Sequence, residues 1–162
     1  SIGIIGAGIM GERLLGAILD QSPALVTVSG VWDPAPSAMA RMAATFPQVP
    51  RPADAAAVIA ASDCVYIASP PAFHLGHARA AIAAGKSVFC EKPLAVDVED
   101  ARAFVAEAGD RGAVNFPFAS SLAVATLMDW IAQGAVGTAS RITIEVAFAT
   151  WRGLRRSRLA VV

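Results

Sequence analysis

The feature that most restricts the fold of this chain is its rhythm. Short apolar runs rich in Val, Ile, Tyr, Phe and Cys alternate with helical stretches, most of them about 10–13 residues long. Strand patterns fall at 1–7, 24–32, 63–68, 87–90 and 113–115. Helical patterns lie between them at 9–20, 37–46, 55–61, 72–84 and 98–109. Asp54 is placed to cap the third helix and Gly85 to stop the fourth. A short link at 50–53 leaves room for a minor strand. Strict alternation means βαβ units, a parallel sheet and right-handed crossovers. The expected class is α/β, a doubly wound parallel sheet.

The pattern changes near Pro117, so the chain reads as a domain over 1–117 and a piece of a second one over 118–162. A helix is expected at 120–133, with Ala123, Leu127, Trp130 and Ile131 on one side and Gly134 and Gly137 after it. Residues 140–151 then alternate: Ile142, Ile144, Val146 and Phe148 against Arg141, Thr143, Glu145 and Ala147. That is one long amphipathic strand, suited to an open sheet with a wet face. It reads as the first strand of a truncated second α/β domain. Its exposed edges and apolar face predict pairing with another copy, a homo-oligomer through 140–151.

Hydrophobic residues make up 56% and charged residues 16%, enough apolar surface for a core and too much for a disordered chain. Lys+Arg and Asp+Glu balance at 13 each, which gives no sign of a nucleic-acid partner. Arg152, Arg155, Arg156 and Arg158 cluster near the end without aromatic interleaving, which argues the same way. Cys64 and Cys90 are too few for a disulfide framework and sit in apolar runs, as expected of a cytoplasmic protein. No apolar run approaches the ~20 residues of a membrane span. The start has neither the basic region nor the cleavage site of a signal peptide. A strand pattern already under way at Ser1 suggests that an initiator Met and a few more residues precede it.

Four motifs carry the chemistry, and each follows a strand pattern. Gly6-Ala7-Gly8-Ile9-Met10-Gly11 is G-x-G-x-x-G between a strand and a helix. In that context Gly6 permits the tight turn, Gly8 lets backbone approach a pyrophosphate, and Gly11 lets helix and strand pack closely. The helix start supplies N–H groups to the phosphates. Asp33 closes the second strand, where an acid can hold the adenosine ribose 2′-hydroxyl and repel a 2′-phosphate. Arg41 is two helical turns on, so NAD is favoured over NADP. Asp33-Pro34 is also an ordinary turn-forming pair.

Ser69-Pro70-Pro71 and His74 follow the strand at 63–68, and strand carboxyl ends line the ligand crevice of a doubly wound sheet. They are candidate cofactor contacts, although His74 also suits a polar helix start. His74 and His77 lack a third ligand, so no metal site is expected. Glu91-Lys92-Pro93 follows the strand at 87–90. Lys92 there could hydrogen-bond a substrate hydroxyl, with burial or a neighbouring cation tuning its proton affinity. Pro93 steers it away from helical geometry. A solvated charge pair in a turn is the plainer alternative. Glu91 joins the candidate cofactor contacts, and Asn115 could reach the nicotinamide carboxamide or the substrate.

Taken in order, GIIGAGIMG, VWDP, ASPPAFH, GKSVFCEKPLA, AVNF and IAQGAVGTASRI resemble the glucose-fructose oxidoreductase, inositol dehydrogenase and MocA family. They span residues 2 to about 150, and the EKP tripeptide after a strand is the most specific. The resemblance implies an N-terminal Rossmann domain and a C-terminal α/β domain with a large open sheet. It implies NAD(P)-dependent oxidoreduction of a sugar, inositol or related polyol. It makes Lys92 a catalytic or substrate-orienting residue and Pro93 a candidate for a cis peptide. Family members run to about twice this length and carry an aspartate and a histidine in the second domain, with the histidine as proton shuttle. The stretch from Trp151 to Val162 continues no pattern of the family, and no such pair follows residue 150. A truncated nucleotide-binding module without catalysis is therefore the alternative.

Overall fold

A computed structural model of the chain describes residues 1–119, 121–138, 140–145 and 158–161. It divides into two units, Ser1–Phe116 and Pro117–Val162.

In the first unit, strands β1 (Ile2–Ile5), β2 (Val28–Trp32), β3 (Cys64–Ile67), β4 (Ser87–Glu91) and β5 (Gly112–Asn115) form one sheet in the order β2-β1-β3-β4-β5. Every pairing is parallel. Helices α1 (Ile9–Leu19), α2 (Pro36–Thr45), α3 (Ala55–Ala60), α4 (Pro71–Ala83) and α5 (Val98–Ala108) are the crossovers.

Period-two alternation along each strand sends neighbouring side chains to opposite faces, and both faces are covered. Ile4, Val31 and Tyr66 pack with Leu15 of α1 and Ala38 and Met42 of α2. Ile5, Val65, Ile67 and Val88 pack with Val58 and Ile59 of α3, Leu75 and Ala78 of α4, and Phe104 of α5. This two-sided burial explains why the strands read as nearly continuous apolar runs. Asp54 caps α3 by accepting from the Ala57 amide at 2.7 Å, and Asp97 caps α5 through the Asp100 amide at 2.8 Å.

Two expectations need correction. The second strand begins at Val28, not at residue 24. Ser22-Pro23 starts a turn in which the Leu25 amide donates to the Ser22 carbonyl at 2.9 Å, and this leaves Leu25 79% exposed. Turn chemistry there overrides apolar alternation. No strand forms at 50–53. The Pro50 carbonyl takes a single hydrogen bond from Val31 on the outer edge of β2, at 3.0 Å. With prolines at 50 and 52, a ladder lacks the donors to continue.

The second unit contains α6 (Leu122–Ala132), capped by the Ser121 hydroxyl accepting from the Val124 amide at 3.3 Å. Strand β6 (Ile142–Glu145) pairs antiparallel with β7 (Arg158–Val161), Ile142 opposite Val161 and Glu145 opposite Arg158. A strand at the end of the Arg-rich stretch was not expected from the sequence. The second half of the strand expected at 140–151, with Val146 and Phe148, lies outside the described residues, as do Arg152, Arg155 and Arg156. Among the described residues no helix is long and apolar enough to cross a membrane.

Candidate functional site

The candidate residues of the first unit collect at the carboxyl edge of the sheet. Register places Ile5 beside Trp32 and Ile67, Ile67 beside Cys90, and Glu91 beside Asn115. The residues that follow β1, β2, β3 and β4 are therefore the glycine loop, Asp33, Ala68-Ser69-Pro70 and Lys92. The β1/β3 boundary is where the chain switches direction across the sheet, the usual place for a ligand crevice.

The glycine loop is built for close backbone approach. Gly6 has φ +105°, a conformation that L side chains rarely adopt, and a Cβ on it would strike the Ala68–Ser69 backbone. A Cβ on Gly11 would strike the Gly6 carbonyl oxygen, so only glycine lets α1 start this near β1. Gly8, the N-cap of α1, differs: nothing lies within 4 Å of where its Cβ would stand. Its exposed backbone and the unbonded amides of the first turn, including those of Ile9 and Met10, form a cradle suited to an anion. Ser69 Oγ is buried without a hydrogen-bond partner among the described residues, beside the loop that Gly6 touches. An open cradle and an orphaned hydroxyl at one edge fit a dinucleotide's phosphates and polar groups.

Asp33 is half-buried and committed to backbone. Oδ2 accepts from the Ala7 amide at 2.8 Å and Oδ1 from the Ala35 amide at 2.8 Å. Each carboxylate oxygen keeps further acceptor capacity, so the contacts fix the group's direction without exhausting it. Arg41, eight residues further on, also returns to this loop. Its Nη2 donates to the Ala7 carbonyl at 2.6 Å, and its Nε reaches Glu12 Oε2 at 3.4 Å. Sequence reading placed Arg41 too far away to matter. The missed signal is that long helical side chains run back toward the helix N-terminus.

Around Lys92 a second cluster forms. Glu91 is buried; its Oε1 accepts from the Tyr66 hydroxyl at 2.6 Å and from Asn115 Nδ2 at 2.7 Å. Its Oε2 accepts from the Lys92 amide at 3.3 Å. Burial, reinforced by the Glu91 contact and charge, pushes the Tyr66 phenol well above its ordinary range, so it remains a donor. Glu91 thus organises β3, β4 and β5, and its carboxylate already has three donors. Asn115 has its amide nitrogen committed to the same group. Tyr66 is the chain's single tyrosine and sits in an otherwise apolar strand, a signal that it needed a buried partner.

His74 is 1% exposed, with both ring nitrogens on backbone carbonyls: Nδ1 lies 2.9 Å from the Pro93 oxygen and Nε2 2.7 Å from the Ser69 oxygen. It ties the loop after β3 to the loop after β4 and offers no free nitrogen at the surface. The Lys92–Pro93 peptide is cis. Lys92 itself is exposed rather than buried, and among the described residues its ammonium makes no hydrogen bond. Cys90, one residue before Glu91, is fully buried, and burial pushes its thiol up to about 12, which makes it inert at neutral pH.

A family model described as an oxidoreductase family with an NAD-binding Rossmann fold matches residues 1–118. No curated protein sequence matches the chain. Among solved structures, UDP-N-acetylglucosamine 3-dehydrogenase from Acidithiobacillus ferrooxidans is 27% identical, with a TM-score of 0.69 over 79% of this chain and 40% of that one. An NAD-binding protein from Listeria innocua is 26% identical, with a TM-score of 0.71 over 84% of this chain and 41% of that one. The apo scyllo-inositol dehydrogenase from Lactobacillus casei shares the fold at 22% identity, with a TM-score of 0.74 over 84% and 42%. The chain therefore spans about two fifths of the length of these structures.

Proposed function

This chain belongs to the oxidoreductase family with an NAD-binding Rossmann fold known from glucose-fructose oxidoreductase, inositol dehydrogenase and MocA, and on that premise we propose that it serves hydride exchange between a nicotinamide cofactor and a sugar, inositol or related polyol. The observation that carries the reading is the open glycine cradle set at the same sheet edge as an unspent lysine. Gly6, Gly8 and Gly11 shape the pyrophosphate seat, with Ala7, Ile9 and Met10 between them. Asp33 orients the adenosine ribose through its remaining acceptor capacity. Ser69 offers its unpartnered hydroxyl, and Pro70 and Pro71 line the same edge.

When bound, NAD(P) supplies the hydride acceptor or donor. Lys92 orients the substrate hydroxyl and assists removal of its proton. Glu91 and His74 act one step back, holding the Lys92 backbone from the amide of Lys92 and the carbonyl of Pro93. The carbonyl oxygen of Asn115 is left to a carboxamide or a substrate hydroxyl. Relatives that act on UDP-N-acetylglucosamine and on scyllo-inositol support the polyol class by analogy. β6, which β7 pairs on one side, is proposed to join a second copy.

Asp33 favours NAD. Asp33→Ala is expected to lower NAD affinity about tenfold relative to NADP, the scale of one hydrogen bond to a charged group. It also frees the Ala7 and Ala35 amides, so stability should fall by about 1–3 kcal/mol. Parallel titrations of the two cofactors check this, and an unchanged ratio contradicts the ribose contact.

A further inference from the structure

We propose that Glu91 makes this site prefer the oxidised cofactor: a buried carboxylate with no counter-cation, in contact with the residues that face the nicotinamide, favours the cationic ring of NAD⁺ over the neutral ring of NADH. The proposal rests on the reading that Lys92 and Asn115 face the substrate and the nicotinamide. Its starting point is that both of them touch one carboxylate. Asn115 Nδ2 donates to Glu91 Oε1 at 2.7 Å, which leaves the Asn115 carbonyl oxygen for the carboxamide. Lys92 follows Glu91 in the chain, and its amide donates to Glu91 Oε2 at 3.3 Å.

Three features make Glu91 more than a brace between strands. It is 4% exposed, so water and salt do little to screen its charge. Its partners are the Tyr66 hydroxyl at 2.6 Å, Asn115 Nδ2 and the Lys92 amide. All are neutral donors, the set that an ionised carboxylate accepts. Among the described residues no ion pair includes Glu91, and the Lys92 side chain is exposed to solvent. Finally, Tyr66 and Asn115 share one oxygen, Oε1, and the oxygen of a neutral amide would hold them as well. Burying a charge costs far more than burying an amide, so the cluster alone gives no reason for an acid here.

A nicotinamide ring carries a full positive charge when oxidised and none when reduced. Even at about 10 Å and an effective dielectric constant of about 20, opposite unit charges attract strongly enough to change an affinity about tenfold. The rest of the dinucleotide is the same in both forms, so the attraction survives as the ratio of their affinities. A tighter hold on the oxidised form also tilts the bound equilibrium. The carbonyl carbon takes the hydride with its electron pair from nicotinamide C4, its oxygen takes a proton, and the ring is left oxidised. Glu91 therefore favours reduction of the carbonyl to the alcohol.

The test is calorimetric titration of the full chain and its variants with NAD⁺ and with NADH. Wild type is expected to bind NAD⁺ the more tightly. Glu91→Gln keeps an oxygen for Tyr66 and Asn115 and gives up only the long Lys92 contact. It is expected to lower the ratio of NAD⁺ to NADH affinity about three- to tenfold. Tyr66→Phe disturbs the same cluster and keeps the charge, so it is expected to leave that ratio within about twofold. An unchanged ratio in folded Glu91→Gln, or an equal fall in Tyr66→Phe, overturns the role of the charge and leaves the dinucleotide reading standing. If Glu91→Gln does not fold, wild type decides: NADH bound as tightly as NAD⁺, or more tightly, overturns the proposal alone. Binding of neither form by folded wild type overturns both.

Discussion

Lys92→Met is expected to cut turnover by about 100-fold or more while NAD affinity stays within about twofold, because proton transfer by a positioned side chain contributes on that scale. The argument is one of division of labour. The backbone on either side of the Lys92 ammonium is clamped by Glu91 and His74. The ammonium itself makes no hydrogen bond among the described residues. Groups held at the base and unspent at the tip are what a substrate-facing role requires. Methionine keeps the length and loses the charge and the donors, so it leaves packing nearly alone. Steady-state rates with a polyol substrate, paired with a cofactor titration, separate the two effects. Normal turnover in a variant that binds NAD normally refutes the role of Lys92.

The second large effect separates two glycines of one loop. Gly6→Ala is expected to destabilise the fold by about 3 kcal/mol, from a strained φ and a Cβ driven into the Ala68–Ser69 backbone. Gly8→Ala meets nothing within 4 Å and should cost no more than about 1 kcal/mol, the scale of exchanging glycine for alanine at a helix N-cap. Its methyl instead occupies the space left for the ligand. NAD affinity should fall about 10- to 100-fold, the cost of overpacking a close contact. Thermal unfolding and cofactor titration on both variants check the contrast. Equal NAD affinity for wild type and a folded Gly8→Ala contradicts the proposed pyrophosphate seat.

Much of the parallel sheet was legible in the sequence because its strands are buried on both faces, which leaves a simple apolar signature. Ile4 and Ile5 belong to opposite cores and still read as one run. Legibility failed where a local hydrogen bond outweighs periodicity. Leu25 fits an alternating strand, yet the Ser22 carbonyl draws it into a turn. The β7 pairing was illegible for another reason: its partner is set by contacts distant in sequence, and Arg158–Val161 is too short to carry a pattern of its own.

The site divides in the same way. The placement of Gly6, Gly8, Gly11, Asp33 and Lys92 at the carboxyl edge of the sheet was legible because motif spacing reports backbone position. What each side chain bonds to was not visible. Glu91 and His74 read as possible ligand contacts, and they turn out to be committed to Tyr66, Asn115 and the loop carbonyls. Arg41 read as remote because sequence distance along a helix hides the reach of a long side chain.

The most direct test of the central claim, that the glycine loop is a dinucleotide seat, is calorimetric titration of NAD into the purified, folded chain. The account predicts saturable binding of one nucleotide per chain with a dissociation constant below about 1 mM, the range in which enzymes hold their substrates. A folded protein that takes up no NAD at that concentration would contradict it.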